Sequence, residues 1–310
     1  MKIFQSIHDF SSAKKTVVTL GTFDGVHIGH KKIIERLLQN ALELDGESLV
    51  LTFFPHPRMV LQDATDIKLL NTIEEKALLL ENLGLENLVI HPFDQAFSRL
   101  TAEEFVKDIL VNAFNIKKII IGHDHRFGRN RTANIDNLIV FGEKYGFEVE
   151  QISSQEINEV AVSSTKIRNA LLQGDVALAN QYLGYNYPLT GTVVLGKQLG
   201  RTINFPTANL YISENFKLIP ENGVYIVSSS INNTTVFGMM NIGFNPTVGG
   251  EEQTIEIHYF DFDQDLYNQK ITVSLLNKIR SEIKFKSLED LKHQLENDKI
   301  TALSYINSTF

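Results

Sequence analysis

The run Gly21-Thr22-Phe23-Asp24-Gly25-Val26-His27-Ile28-Gly29-His30 combines three glycines, a carboxylate and two histidines three positions apart. Glycine admits unusual backbone angles and lets a ligand approach the main chain closely. Histidines at i and i+3 share one helical face, so both imidazoles can converge on one phosphate and donate to its oxygens as negative charge gathers. The chemistry suggested is that of a triphosphate site. A glycine loop with two capping or packing histidines is the plainer alternative.

The elements around the motif fit the first reading. Val17, Val18 and Leu20 form a buried strand pattern, and Ile33, Ile34, Leu37 and Leu38 recur with helical spacing. The motif is thus a strand-to-helix turn. The first turn of such a helix presents unpaired N–H groups and the positive end of its dipole to an anion.

At 310 residues the chain has room for two domains, each with its own core. No apolar run approaches the roughly 18 residues that cross a bilayer, and residues 1–15 lack the apolar segment of a secretory signal. A cytoplasmic protein without a membrane partner is expected. The absence of cysteine excludes disulfides, thiolate metal sites and a cysteine nucleophile. A net charge of −8 argues against a general nucleic-acid surface. Cations nevertheless cluster at Arg126, Arg129 and Arg131 and at Lys278, Arg280 and Lys284, as either solvated faces or small-anion sites.

From residue 16 to about 183, strand-like runs at 48–53, 88–90, 118–121 and 147–152 alternate with helical patterns, the signature of a parallel sheet. One helix opens at Thr101 with Glu104 three residues on, a capping box, and should turn Phe105, Ile109 and Leu110 inward. After residue 183 the pattern changes to short β segments at 192–195, 224–228, 236–240, 255–260 and 271–275, which predicts a compact barrel. A last helix over 287–296, with Leu288, Leu291 and Leu295 on one side, should pack on it. The domains expected are 1–183 and 184–310, with no internal repeat.

Further groups that suit a nucleotide follow the strands of the first region, where open α/β sheets bind ligands. Pro55, His56 and Arg58 occupy a proline-stiffened loop that is equally an ordinary rigid turn. A second loop, Gly122-His123-Asp124-His125-Arg126-Phe127-Gly128-Arg129-Asn130-Arg131, mixes His, Asp and Arg; its spacing matches no tetrahedral metal arrangement. Ser163, Ser164 and Thr165 open a helix that also carries Lys166 and Arg168, as an N-cap or a phosphate site or both. Phe-Asp-Gly, His-x-Gly-His and Ser-Ser-Thr-x-x-Arg, in this order, resemble the adenylyltransferase half of the bacterial bifunctional riboflavin kinase/FAD synthetases. The resemblance implies a Rossmann-like α/β parallel-sheet domain that joins FMN and ATP. It assigns ATP binding to Gly21, Phe23, Asp24, Gly29, Ser163, Ser164 and Thr165. Charge stabilisation falls to His27, His30 and Arg168, and the flavin side to Pro55, His56, Arg58, Asp124 and Arg126. The family usually has phenylalanine where His125 stands and glycine where Ala133 stands.

The second region continues the resemblance. Gly191-Thr192-Val193-Val194-Leu195-Gly196-Lys197-Gln198-Leu199-Gly200-Arg201, Phe205-Pro206-Thr207-Ala208-Asn209 and Thr254-Ile255-Glu256-Ile257-His258 are similar to a riboflavin kinase β-barrel domain with a C-terminal helix. The resemblance implies ATP contacts at Gly196, Lys197, Gly200 and Arg201 and Mg²⁺ ligands at Thr207 and Asn209. Glu256 is the implied general base, and Arg280 and Glu282 are implied on the flavin side. Alternation puts Glu256, His258 and Phe260 on one strand face. Where the family has glycine, Asn204 and Asn268 stand here; Asn245 replaces a usual arginine. Asparagine tolerates positive φ better than most residues, so the turn at 204 can survive.

The expectation is a bifunctional enzyme. ATP and riboflavin give FMN at the barrel, then ATP and FMN give FAD and pyrophosphate at the first domain. Mg²⁺ accompanies ATP, and FMN and FAD are substrate and product rather than prosthetic groups. Two other readings remain: a class I aminoacyl-tRNA synthetase, for which the Lys-Met-Ser-Lys-Ser companion is missing, and a flavin-binding regulator without turnover.

Overall fold

The computed structural model describes residues 1–61, 67–122, 126–152, 162–196, 199–247 and 250–310. Its contacts divide the chain into two compact units, Met1–Ser164 and Thr165–Phe310.

The first unit is built on a six-stranded sheet: β1 (Lys2–Phe4), β2 (Thr16–Leu20), β3 (Glu47–Phe53), β4 (Asn87–His91), β5 (Ile116–Gly122) and β6 (Glu148–Ile152). Their order across the sheet is β1-β4-β3-β2-β5-β6, and every pairing is parallel. Side chains alternate between faces along a strand, and the strands obey this strictly. Val18, Leu20, Leu49, Leu51, Ile119 and Ile121 join the core on one face, while Val17, Val50, Ile120, Leu88 and Ile90 join the core on the other. Helix Ile28–Glu43 covers the second face with Ile34, Leu37 and Ala41.

The chain leaves β2 toward β3 on one side and returns to place β5 on the other. This order reverses between β2 and β5, the position where parallel sheets open a crevice at their carboxyl ends. The turn at 21–27 therefore leaves β2 at the crevice. The capping box at Thr101 forms, with Thr101 and Glu104 bonded reciprocally. The helix then continues as a π-helical stretch, Phe105–Ala113, that buries Phe105, Ile109 and Leu110. Strand β1, too short to show a period in the sequence, adds an edge beside β4.

In the second unit, β7 (Tyr187–Val194), β8 (Ala208–Tyr211), β9 (Gly223–Ile231), β10 (Thr234–Thr247), β11 (Gly250–Tyr259) and β12 (Lys270–Arg280) close a barrel in the order β10-β11-β8-β7-β12-β9, all neighbours antiparallel. Helices Ser164–Leu172 and Val176–Leu183 precede it; Asn180 of the second donates to the Leu275 carbonyl and accepts from the Tyr187 N–H.

The final helix, Leu288–Thr309, runs well past the expected 296 and buries Ala302 and Ile306. Asp298 interrupts the apolar pattern there, yet is only 1% exposed. It takes a forked pair of hydrogen bonds from Arg280, at 3.0 and 2.8 Å, and one from Gln294. The pair fastens the helix to the end of β12. Breaking a buried ion pair by removing one partner costs about 3–5 kcal/mol. Asp298→Ala should therefore lower the stability of the barrel unit by about 3 kcal/mol, read from its denaturant-unfolding midpoint.

Candidate active sites

The turn after β2 places its residues by backbone conformations that few sequences tolerate. Phe23, Gly25 and Val26 have φ of 44°, 89° and 34°, the left-handed region that is costly for a β-branched residue. Buried Asp24 accepts from the Leu70 N–H at 2.9 Å and the Asn71 N–H at 3.4 Å, while the Ser164 hydroxyl donates to the Asp24 carbonyl at 2.9 Å. These bonds join the turn to two distant segments. Gly21 continues the β2–β3 ladder through its N–H to the Leu51 carbonyl, and Gly29 is buried in the first helical turn.

His27 caps helix Ile28–Glu43: its Nδ1 accepts from the His30 N–H at 3.3 Å. A neutral imidazole that accepts at Nδ1 carries its proton on Nε2, so the free nitrogen of His27 is a donor. The two imidazoles stack with centroids 3.7 Å apart and planes 14° apart, and Phe23 lies 5.1 Å from His30. Burial pulls the His27 pKa down to about 4 against the opposing charge of Asp24. Burial also holds His30 well below the usual range, helped by repulsion from His27 and Lys76. Both rings are neutral near pH 7, and the buried His30 Nδ1 has no hydrogen-bond partner among the described residues.

His56 Nδ1 accepts from the Arg58 N–H at 3.1 Å, so the imidazole braces its own loop while the Arg58 side chain is exposed, as is Pro55. Arg126 is exposed, and the following Phe127 pairs its backbone with Ala133 in both directions. Asp124 and His125 lie outside the described residues. Ser163 precedes helix Ser164–Leu172; Thr165 and Arg168 fall on that helix, in the second unit, with Arg168 one turn beyond Ser164.

In the barrel, Glu256 of β11 stands in register with Asn209 of β8 on one side and Asn241 of β10 on the other. Its Oε2 accepts from the Thr207 hydroxyl at 3.2 Å. Thr207, Glu256 and Asn209 thus assemble three oxygen-bearing side chains around one short stretch. Gly196 approaches so closely that a Cβ on it would meet the Asn209 amide at 2.2 Å. A Cβ on Gly200 would likewise lie 2.1 Å from the Phe205 carbonyl. Beside them a cleft of about 740 Å³ is lined by Arg201, Asn204, Thr207, Tyr259, Asp265 and Tyr267, among others. Asn204 and Asn268 adopt φ of 63° and 60°, the conformation a glycine would supply. Lys197 lies outside the described residues, and Asn245 falls on β10 opposite Glu252.

Arg280 gives its donors to Asp298 and the Ser281 carbonyl, and exposed Glu282 accepts from Asn222 at 3.3 Å. Sequence reasoning gave no role to two residues. His258 donates from Nδ1 to the Pro206 carbonyl at 2.9 Å, immediately before Thr207; burial lowers its pKa, opposed by this bond. Lys76, 4% exposed, donates to the Thr22 carbonyl at 2.7 Å, and burial pulls its pKa down to about 8. Its signal was present: Ile73, Lys76, Ala77 and Leu80 form one helical stripe with a cation in its middle.

The chain matches the family model described as FAD synthetase over residues 9–166 and that described as riboflavin kinase over residues 183–306. It is 36% identical over 310 residues to the bifunctional riboflavin kinase/FMN adenylyltransferase of Haemophilus influenzae, spanning 99% of this chain and 100% of that protein. The protein of the same description from Escherichia coli is 36% identical over 312 residues, spanning 100% and 99%. A solved structure from Streptococcus pneumoniae, described as a macrolide-efflux protein, is similar with a TM-score of 0.87 and 32% identity over 97% and 98% of the two chains. Among the described residues of this chain no helix is long and apolar enough to cross a membrane. With both family models matched in succession and relatives aligned from end to end, the chain belongs to the family of bifunctional riboflavin kinases/FMN adenylyltransferases.

Proposed function

We propose that the two reactions of this chain run at two chemically separate sites, with residues 1–183 carrying adenylylation and residues 184–310 carrying phosphorylation. Riboflavin is phosphorylated by ATP to FMN, and FMN is adenylylated by ATP to FAD with release of pyrophosphate. The observation that supports two sites is that stacked imidazoles end one parallel strand while a hydroxyl–carboxylate pair lies in the barrel.

In adenylylation a phosphate oxygen of FMN attacks the α-phosphorus of ATP, a bond forms there, and the bond to the pyrophosphate oxygen breaks. No covalent intermediate on the protein is needed, so alignment and charge stabilisation carry the rate. The Nε2–H of His27 and the imidazole of His30 offset the gathering charge. Arg168 adds a permanent cation, and Ser163, Ser164 and Thr165 hold phosphate oxygens. Gly21, Phe23, Asp24 and Gly29 shape the turn against the nucleotide. Pro55, His56, Arg58, Asp124 and Arg126 are proposed for the flavin side. Neutral histidines suit the resting site, because an arriving anion raises their proton affinity only when it is bound.

In phosphorylation Glu256 orients the primary hydroxyl of riboflavin and takes its proton as the oxygen attacks the γ-phosphorus and ADP leaves. The hydroxyl of Thr207 and amide of Asn209 are hard oxygen donors next to a carboxylate, a set that fits Mg²⁺. When bound, Mg²⁺ neutralises phosphate charge. Gly196, Lys197, Gly200 and Arg201 are proposed for the ATP phosphates, and Arg280 and Glu282 for the flavin side. For Arg280, pairing with Asp298 supports an indirect role, holding the segment that carries Glu282. Dependence on ATP supports a cytoplasmic location, and the net charge of −8 supports small molecules rather than nucleic acid as partners.

Incubation with riboflavin, ATP and Mg²⁺ should yield FMN and then FAD by chromatography; riboflavin bound but unchanged would make the chain a regulator. Glu256→Ala should slow FMN formation by about 10²–10⁴-fold while added FMN still becomes FAD. His30→Ala should slow FAD formation by about 10²-fold and spare phosphorylation, measured in the same assay. Because His27 has a lower pKa folded than unfolded, the unfolded state binds the extra proton below about pH 6.5. Its contribution to stability is full above that pH and is lost as pH falls toward 4. His27→Asn should flatten the fall in unfolding free energy across that window by up to about 1.4 kcal/mol per pH unit.

A further inference from the structure

Lys76 brings an ionisable group into the interior of the first unit and has no part in the reactions described above. Its neighbours on the helical stripe, Ile73, Ala77 and Leu80, are apolar, and a methionine of similar length would pack there without the several-kcal/mol desolvation penalty of a buried ion. Packing therefore does not explain a lysine. Among the described residues its ammonium bonds to one main-chain oxygen, that of Thr22, which also accepts from the Thr52 hydroxyl at 3.3 Å. That oxygen belongs to the peptide that enters the histidine turn.

We infer that Lys76 is a positioning residue for adenylyl transfer, holding the Thr22 carbonyl and standing as a fixed positive charge behind the His27–His30 pair. The inference rests on the assignment of adenylylation to that turn. Two physical effects support it. In a trans peptide the C=O and the next N–H point in opposite directions. Holding the Thr22 oxygen on Lys76 thus turns a partial negative charge, which would repel a phosphate, toward the interior, and aims the Phe23 N–H the other way. It also fixes the first peptide of a turn whose next residue has φ of 44°. The second effect is electrostatic. The groups that face the ammonium are the Asp24 carboxylate, which favours its charge, and the His30 imidazole, which it helps to keep unprotonated. A cation placed in a low-dielectric interior acts on charge developing nearby more strongly than one in water.

Steady-state FMN adenylylation by the full chain, with riboflavin phosphorylation by the same chain as the internal control, tests the proposal. Lys76→Met should lower the adenylylation kcat by about 10- to 100-fold, scaled to the loss of one preorganised electrostatic group, and leave phosphorylation unchanged. It should also shift the His30 titration, followed by NMR of the imidazole protons, to higher pH, which a purely steric role would not do. Lys76→Arg, which keeps the charge, should recover most of both. If Lys76→Met does not fold, Lys76→Gln takes its place, able to donate to Thr22 without the charge, and should show the same shift with a smaller loss of at least threefold. Turnover within twofold of wild type in a folded Met or Gln variant, or an unmoved His30 titration, overturns the proposal. His30→Ala measured alongside separates the failures: if it too turns over normally, the site assignment is wrong, and if it alone is inactive, only the role of Lys76 is.

Discussion

One hydrogen bond, from the His30 main-chain N–H to Nδ1 of His27, governs the chemistry available at the end of β2. It satisfies an amide that every helix start leaves unpaired. It also dictates which nitrogen of His27 carries the proton, so helix capping and the supply of a donor are one event. The stacked second ring follows from the i, i+3 spacing. For that bond to form, the backbone between Thr22 and His27 must pass through left-handed conformations at Phe23 and Val26, neither of them glycine. Strain at such positions persists only where surroundings over-determine it. Here the Leu70 and Asn71 amides, Lys76 and Ser164 supply the surroundings from outside the turn.

The barrel meets a similar demand with strands. Register does the positioning: pairing of β11 with both β8 and β10 sets Glu256 between Asn209 and Asn241, and a slip of one residue would send Glu256 to the opposite face. The segment 204–207 arrives from a 3₁₀ turn and is held by the His258–Pro206 bond. Glu256 is thus mounted on a strand paired on both sides, while Thr207 comes from the segment that leads into β8.

Much of this was legible in the sequence because it is local. Alternation along β2, β3 and β5, the capping box at Thr101 and the glycine–histidine turn all express rules that act over a few residues. Asn204 in place of glycine pointed to a turn that survives through positive φ, and it adopts that conformation, as Asn268 does too. What escaped is non-local. Lys76 interrupts an apolar helical stripe, but its partners Thr22 and Asp24 lie some fifty positions away. Arg280 and Asp298 stand 18 positions apart on different elements, and the charge at 298 disguised the second half of the last helix as its end. Strand β1 is defined by its neighbour β4 rather than by any pattern of its own.

The asparagines at 204 and 268 carry a consequence for the unfolded chain. Glycine enters a left-handed turn easily but forfeits more conformational freedom on folding than any other residue. Asparagine accepts the same angles from a narrower starting ensemble. The loop that delivers Thr207 is therefore drawn from fewer competing shapes than a glycine loop would be, and less free energy is consumed in ordering it as the chain folds.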